Sequence, residues 1–167
     1  MPVPDLSRLT PADAAVTFRS LDRRFRAVVR PLDDPQVDAW AEVPGNDGHS
    51  ARDHVAMACR TLALLRNALH QTVTRDQPLL DEAVLIADRR TWSVSPTDIE
   101  VELDALGDVA AALAGDVESL APDEWSRSAR TGGPSTVDAI ELLAEAVRSA
   151  LVHLDGADAA MRAARRD

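Results

Sequence analysis

The 167 residues contain no lysine and no tyrosine, a single cysteine, two phenylalanines and three tryptophans. Each shortage excludes something. All 18 basic residues are arginine and 28 are acidic, which leaves a formal net charge of −10. Such a chain lacks the basic patch that a phosphate backbone requires, so nucleic acid is not an expected partner. No apolar run approaches the ~20 residues of a bilayer span, and Met1 to Thr10 lack the basic and apolar regions of a signal peptide. A cytoplasmic protein without a membrane partner is expected. Cys59 on its own cannot form an internal disulfide or a Cys-rich zinc site, and reads as a buried structural residue. Aromatics make up 3% of a chain that is 46% hydrophobic, so the core must be built from Ala, Leu and Val. Ala and Leu favour helices, whereas strands favour β-branched and aromatic residues. The composition points to an all-α protein of one domain, long enough to bury ~70% of its unfolded surface.

Apolar periodicity predicts four long helices, over approximately 10–30, 50–74, 95–120 and 135–164. In the first, Ala14, Phe18, Leu21, Phe25, Val28 and Leu32 recur at spacings of three and four, opposite Arg19, Asp22, Arg23 and Arg26. Pro31 stops it. Val55, Ala58, Leu62, Leu65, Leu69 and Val73 mark the second. Val101 or Leu103, Leu106, Val109 or Ala110, Leu113, Val117 and Leu120 mark the third, and Ile140, Leu143, Val147, Leu151, Leu154, Ala157 and Met161 the fourth. Each start carries Ser or Thr followed three residues later by Asp: Thr10/Asp13, Ser50/Asp53, Ser95/Asp98 and Ser135/Asp138. The hydroxyl of such a cap accepts from an unpaired backbone N–H while the carboxylate reaches back, for ~1 kcal/mol per cap. Residues 33–49 read as a connection with a short helical turn ending at Trp40. The connection over 75–94 is long enough to run the length of the bundle, which would leave the second and third helices parallel.

Side chains able to do chemistry are few. There is no Gly-rich phosphate loop, His-Glu-x-x-His pair or nucleophile elbow. His54 and His153 adjoin the apolar stripes of two long helices, so both could point inward and ligate a metal between facing helices. Two imidazoles are an incomplete site, since such metals take at least three protein ligands. The plainer alternative is a pair of boundary histidines hydrogen-bonded to backbone or water. His49, after Gly48, reads as an exposed turn residue, and His70 as a surface residue near a helix C-terminus. Trp40, Trp92 and Trp125 fall in connections, where they either seal the bundle ends or line a pocket.

Three local signatures resemble those of the DinB/YfiT-like superfamily, which includes the N-terminal domain of mycothiol-dependent maleylpyruvate isomerase. Residues 47–57, Asp-Gly-His-Ser-Ala-Arg-Asp-His-Val-Ala-Met, are similar to the family's Gly-Trp-Ser-x-x-Glu-Tyr-x-x-His opening of helix two. Thr74-Arg75-Asp76-Gln77-Pro78 is similar to its acidic-x-Pro exit, and residues 120–127, Leu-Ala-Pro-Asp-Glu-Trp-Ser-Arg, to its Pro-x-x-x-Trp-x-Arg turn. The resemblance covers nearly the whole chain and implies a four-helix bundle with long connections between helices one and two and between two and three.

The resemblance also implies that metal-binding members hold a divalent ion with one His on helix two and two on helix four, and use it to activate a thiol cofactor. Matched from the helix caps, those positions fall on Met57, near Ala146, and near Ala150 or Leu151. A thioether is a weak partner for such ions and alanine is no ligand. The expectation is therefore a bundle with a degenerate metal site and no cofactor. It would bind a small molecule through an apolar pocket near His54, Met57, Ala150 and His153, or serve as an interaction protein, and the resemblance suggests a homodimer. The alternative is a transferase or isomerase using a divalent metal (Zn, Ni or Fe) and a low-molecular-weight thiol at a site shifted to His54 and His153. No catalytic residue is assigned.

Overall fold

A computed structural model describes residues 6, 8–30, 35–80 and 98–166. Long helices α1 (Pro11–Val29), α3 (Ala51–Thr74), α4 (Ile99–Ser119) and α5 (Ala139–Ala164) carry the core, and α2 (Pro35–Ala41) is the short helix ending beside Trp40. Strands β1 (Ser128–Arg130) and β2 (Thr136–Asp138) pair antiparallel between α4 and α5. Leu32, Trp92, Ser95 and Pro96 lie outside the described residues, as does most of the connection before α4.

Two of the four helix starts follow the Ser/Thr-x-x-Asp pattern. Thr10 caps α1 and Ser50 caps α3, each hydroxyl accepting from the Asp N–H while the Asp carboxylate accepts from the cap N–H. At the other two starts the Asp is itself the cap. Asp98 accepts from Glu100 N–H at 2.8 Å and α4 begins at Ile99, not at Ser95. Asp138 accepts from Glu141 N–H at 2.8 Å and α5 begins at Ala139, not at Ser135. The reason at α5 is local: β-branched Thr136 and Val137 are drawn into a ladder with Arg130 and Ala129, which holds the chain extended until Asp138. Carboxylates cap as well as hydroxyls do, so the helix starts at the last candidate available.

The predicted stripes form one hydrophobic cluster, with Phe18, Leu21, Phe25, Leu62, Leu65, Leu106, Leu113 and Leu143 fully buried. On α4 the two open choices resolve towards Leu103 and Ala110: Leu103 is 0% exposed and Val101 55%. Around the bundle α1 packs on α4, α4 on α3, α3 on α5 and α5 on α1. Ion pairs report the directions. Arg19 meets Glu118 while Arg26 meets Glu100 and Asp104, so α1 and α4 are antiparallel. Arg66 meets Asp116, Cys59 lies nearer Glu102, and Leu69 and Val73 share a cleft with Ser119 and Leu120, so α3 and α4 are parallel as expected. His54 near the start of α3 meets His153 in the second half of α5, while Arg127, whose carbonyl accepts from Ala139 N–H at the start of α5, reaches Val73 at the end of α3, so that pair is antiparallel.

The turn signature after α4 has a structural task. Glu124 accepts from Ala121 N–H at 2.8 Å, Trp125 packs partly buried on the core, and the Arg127 guanidinium donates to the Val73 carbonyl at the end of α3. Arg127 thus satisfies a carbonyl that the helix leaves open.

Candidate functional site

The α3–α5 interface is apolar along most of its length, and His54 and His153 interrupt it. His54 is 5% exposed and His153 9%. Their Nδ1 atoms lie 3.4 Å apart and their ring centroids 5.7 Å, a long hydrogen bond whose direction depends on which ring carries the proton. Met57 and Ala150 lie one turn deeper along the same two helices, and both are buried. The interface also makes room for the His54 ring. A Cβ on Gly156 would stand 2.3 Å from His54 Cε1 and 2.6 Å from its Nε2, so the imidazole lies directly against the α5 backbone.

The opposite edge of His54 faces the loop that leads into α3. That loop is closed by Gly45 N–H to the His49 carbonyl (2.8 Å), by Gly48 N–H to the Gly45 carbonyl (3.0 Å) and by a bridge between Pro44 and Ser50. Gly48 adopts φ +83°, a left-handed conformation that glycine takes without strain, and it sets Asp47 and His49 on either side of the turn. Asp47 Oδ1 accepts from His49 N–H at 3.1 Å, and Oδ2 stands 3.2 Å from His54 Nε2. The His49 ring lies edge-on to His54 with centroids 5.9 Å apart. Three of the chain's four histidines therefore meet at this end of the bundle.

Burial pushes the His54 imidazole towards its neutral form, more strongly than nearby Asp47 and Asp53 favour the charged one. Asp47 is held ionised: its partial burial opposes this, but the His49 N–H and the neighbouring imidazoles outweigh it. The arrangement runs carboxylate, imidazole, imidazole, with the two nitrogens of His54 pointing to different neighbours.

His54 and His153, both candidates from their place beside the apolar stripes, are together. Asp47 is not among the residues singled out from the sequence, and His49, expected as an exposed turn residue, is instead half-buried beside His54. The signal available was their crowding into eight residues, Asp47-Gly48-His49 to His54. His70 is exposed, as expected, and Cys59 is half-buried. Trp40 lies on α2 with Arg165 over its ring at 5.6 Å. The open clefts lie away from the His54–His153 pair; His70 and Asp116 line two of them, in the groove between α3 and α4.

No family model and no curated protein matches this sequence. A solved structure does, over 98% of this chain and 92% of its own, with a TM-score of 0.72 at 14% identity. It is YfiT from Bacillus subtilis, described as "a probable metal-dependent hydrolase with an unusual four-helix bundle topology". The chain has a DinB/YfiT-like fold.

A DinB/YfiT-like fold raises the question of whether this chain's donors suit a metal. Met57, Ala146, Ala150 and Leu151, where the resemblance puts the ligands, cannot supply a three-histidine site. Nor, among the described residues, do three His, Cys, Asp or Glu side chains stand arranged around a common point. The His54–His153 pair contributes two nitrogens and no third donor, so the residues as placed do not fit the three-ligand ion.

Proposed function

We propose that the protein is a DinB/YfiT-like bundle without the usual three-histidine metal site, and that it binds a small molecule at the α3–α5 interface around His54, Met57, Ala150 and His153. The observation that supports this is the imidazole pair itself. Two polar rings in an Ala- and Leu-rich interface cost stability relative to apolar side chains of the same volume. Gly156 adds to that cost by placing a poor helix former within α5 to admit the His54 ring. A feature that costs stability and concentrates hydrogen-bonding capacity in one buried spot is what a recognition site requires. The test compares wild type with His153→Gln, purified in parallel, denatured, and analysed for released small molecules by mass spectrometry. A compound released near stoichiometrically from wild type and lost from H153Q is expected; identical profiles from the two proteins would contradict the reading.

The 3.4 Å separation of the two Nδ1 atoms favours one other reading. Two nitrogens on one tetrahedral ion stand roughly 3.3 to 3.4 Å apart, given metal–nitrogen bonds of about 2.0 to 2.1 Å. On that reading the pair holds Zn, Ni or Fe, and the protein is a transferase or isomerase acting with a low-molecular-weight thiol. It requires about one equivalent of metal per chain in the purified protein, lost in H153Q, and a metal-free H153-dependent ligand would exclude it.

A further inference from the structure

At the far end of α3 from His54, about 30 Å along the helix, the chain forms an open cleft of about 420 Å³. Thr74 to Gln77 line one side and Ser126 to Ser128 the other, so the segments 74–78 and 120–127 singled out in the sequence meet there. Both sides are held. The Arg127 guanidinium donates to the Val73 carbonyl, Arg130 N–H to the Pro78 carbonyl at 2.8 Å, and Leu80 N–H to the Arg130 carbonyl at 2.9 Å. Gln77 turns the chain with φ +39°, a left-handed conformation that, among the described residues, no other residue with a side chain adopts. Backbone strain of this kind concentrates at ligand-binding sites.

We infer that this cleft binds the phosphate group of a small phosphate monoester. Its donors are free. Arg26, Arg30 and Arg66 each meet carboxylates on neighbouring helices. Among the described residues, by contrast, the side chains of Arg75, Gln77 and Ser128 have no hydrogen-bond or ion-pair partner. A guanidinium carries five N–H groups, so the one bond from Arg127 to Val73 leaves most of its fork available. The Thr74 and Ser126 hydroxyls are committed to the His70 and Asp123 carbonyls, at 2.7 and 2.8 Å. What remains is two guanidinium groups, an amide and a hydroxyl, against the single carboxylate of Asp76. The cleft is therefore net positive on a chain of net charge −10.

Donors supplied from two separate segments suit the three oxygens of a phosphate dianion better than the single edge of a carboxylate. The volume lies in the range of small-molecule sites and exceeds what a phosphate group fills, which leaves room for the esterified carbon skeleton. Asp76, the acidic group on the wall, suits a hydroxyl of that skeleton. None of the residues at the α3–α5 interface takes part. The site therefore stands or falls independently of the small-molecule reading there.

The experiment follows the arginine Nε–H and Gln77 amide signals by ¹⁵N-resolved NMR while glycerol 3-phosphate, inorganic phosphate and glycerate are titrated at constant ionic strength. Wild type is compared with Arg75→Gln, Gln77→Gly and Arg23→Gln. Glycerol 3-phosphate should saturate the shifts of Arg75, Arg127 and Gln77, and bind roughly threefold or more tighter than inorganic phosphate or glycerate. R75Q should weaken it about fivefold or more, whereas R23Q, which removes the same charge from the exposed face of α1, should leave it unchanged. Q77G relieves the left-handed backbone, so it should unfold at the same temperature or higher and yet bind several-fold more weakly, a combination that a purely structural role does not produce. Shifts that do not saturate, equal affinity for glycerate, or an R75Q protein that binds as wild type does would each overturn the proposal. Equal affinity for inorganic phosphate would make free phosphate the occupant and overturn the ester.

Discussion

Gly156 and His54 form the tightest side-chain-to-backbone fit at the candidate site. Alanine is ordinarily better than glycine inside a helix by about 1 kcal/mol. Here the added methyl would stand 2.3 Å from an imidazole carbon, so the ring or the helix must move. Gly156→Ala should therefore destabilise the protein, by about 1 to 3 kcal/mol as for other overpacked sites. Denaturant unfolding measures the loss. In a His54→Ala background the same substitution should be neutral or stabilising, because the ring is no longer there; an equal loss in both backgrounds would show that the clash is not with His54. At this scale the sequence was only partly legible. His54 and His153 could be chosen because each adjoins an apolar stripe, and stripe position is a matter of helical period. For Asp47 and His49 the sequence offered only their closeness to His54 along the chain, because their orientation follows from the left-handed turn at Gly48 and the bridge between Pro44 and Ser50, which no period encodes.

Helix starts show where local signals compete. Thr10 and Ser50 cap as read, whereas Asp98 and Asp138 take over from Ser95 and Ser135. The sequence at 135–141 contains two overlapping motifs, Ser135 to Asp138 and Asp138 to Glu141, and pairing of β2 with β1 selects the second. Asp138→Ala should cost ~1 kcal/mol of stability in chemical denaturation, while Ser135→Ala should change it by a few tenths at most. The reverse order would restore the earlier start.

The charged face of α1 is likewise an element-level device. Arg26 reaches Asp22, Glu100 and Asp104, and Arg30 reaches Glu100 and Asp38, tying α1 to α2 and α4. The Arg30 and Arg26 guanidinium groups hold the Glu100 carboxyl below its ordinary value of 4.5. A carboxyl lowered in the folded state contributes stability above its unfolded value, and loses it as pH falls through the folded one. The stability gap between wild type and Glu100→Gln should thus be complete at neutral pH and shrink below pH 4.5. A gap independent of pH would mean that the pairs contribute through packing alone.

For the whole molecule, the fold was legible because Ala, Leu and Val at helical spacing leave little alternative to a bundle, and because the long connection before α4 allows α3 and α4 to run parallel. The site's chemistry was less so, since it depends on which turn of α3 faces which turn of α5. No helix among the described residues is long and apolar enough to cross a membrane. The homodimer suggested by the resemblance predicts sedimentation at twice the chain mass of 18.0 kDa; a monomer at all concentrations would exclude it.

On the proposed function, binding is focused on the imidazole pair between α3 and α5, not in the open groove between α3 and α4. Imidazole ¹⁵N spectra of the wild-type protein, recorded while small acids, amides and thiols are titrated in, address it most directly. At least one fragment is expected to shift His54 and His153 together and to leave His70 unmoved. Fragment-induced shifts confined to His70, or none at His54 and His153 for any fragment, would contradict it.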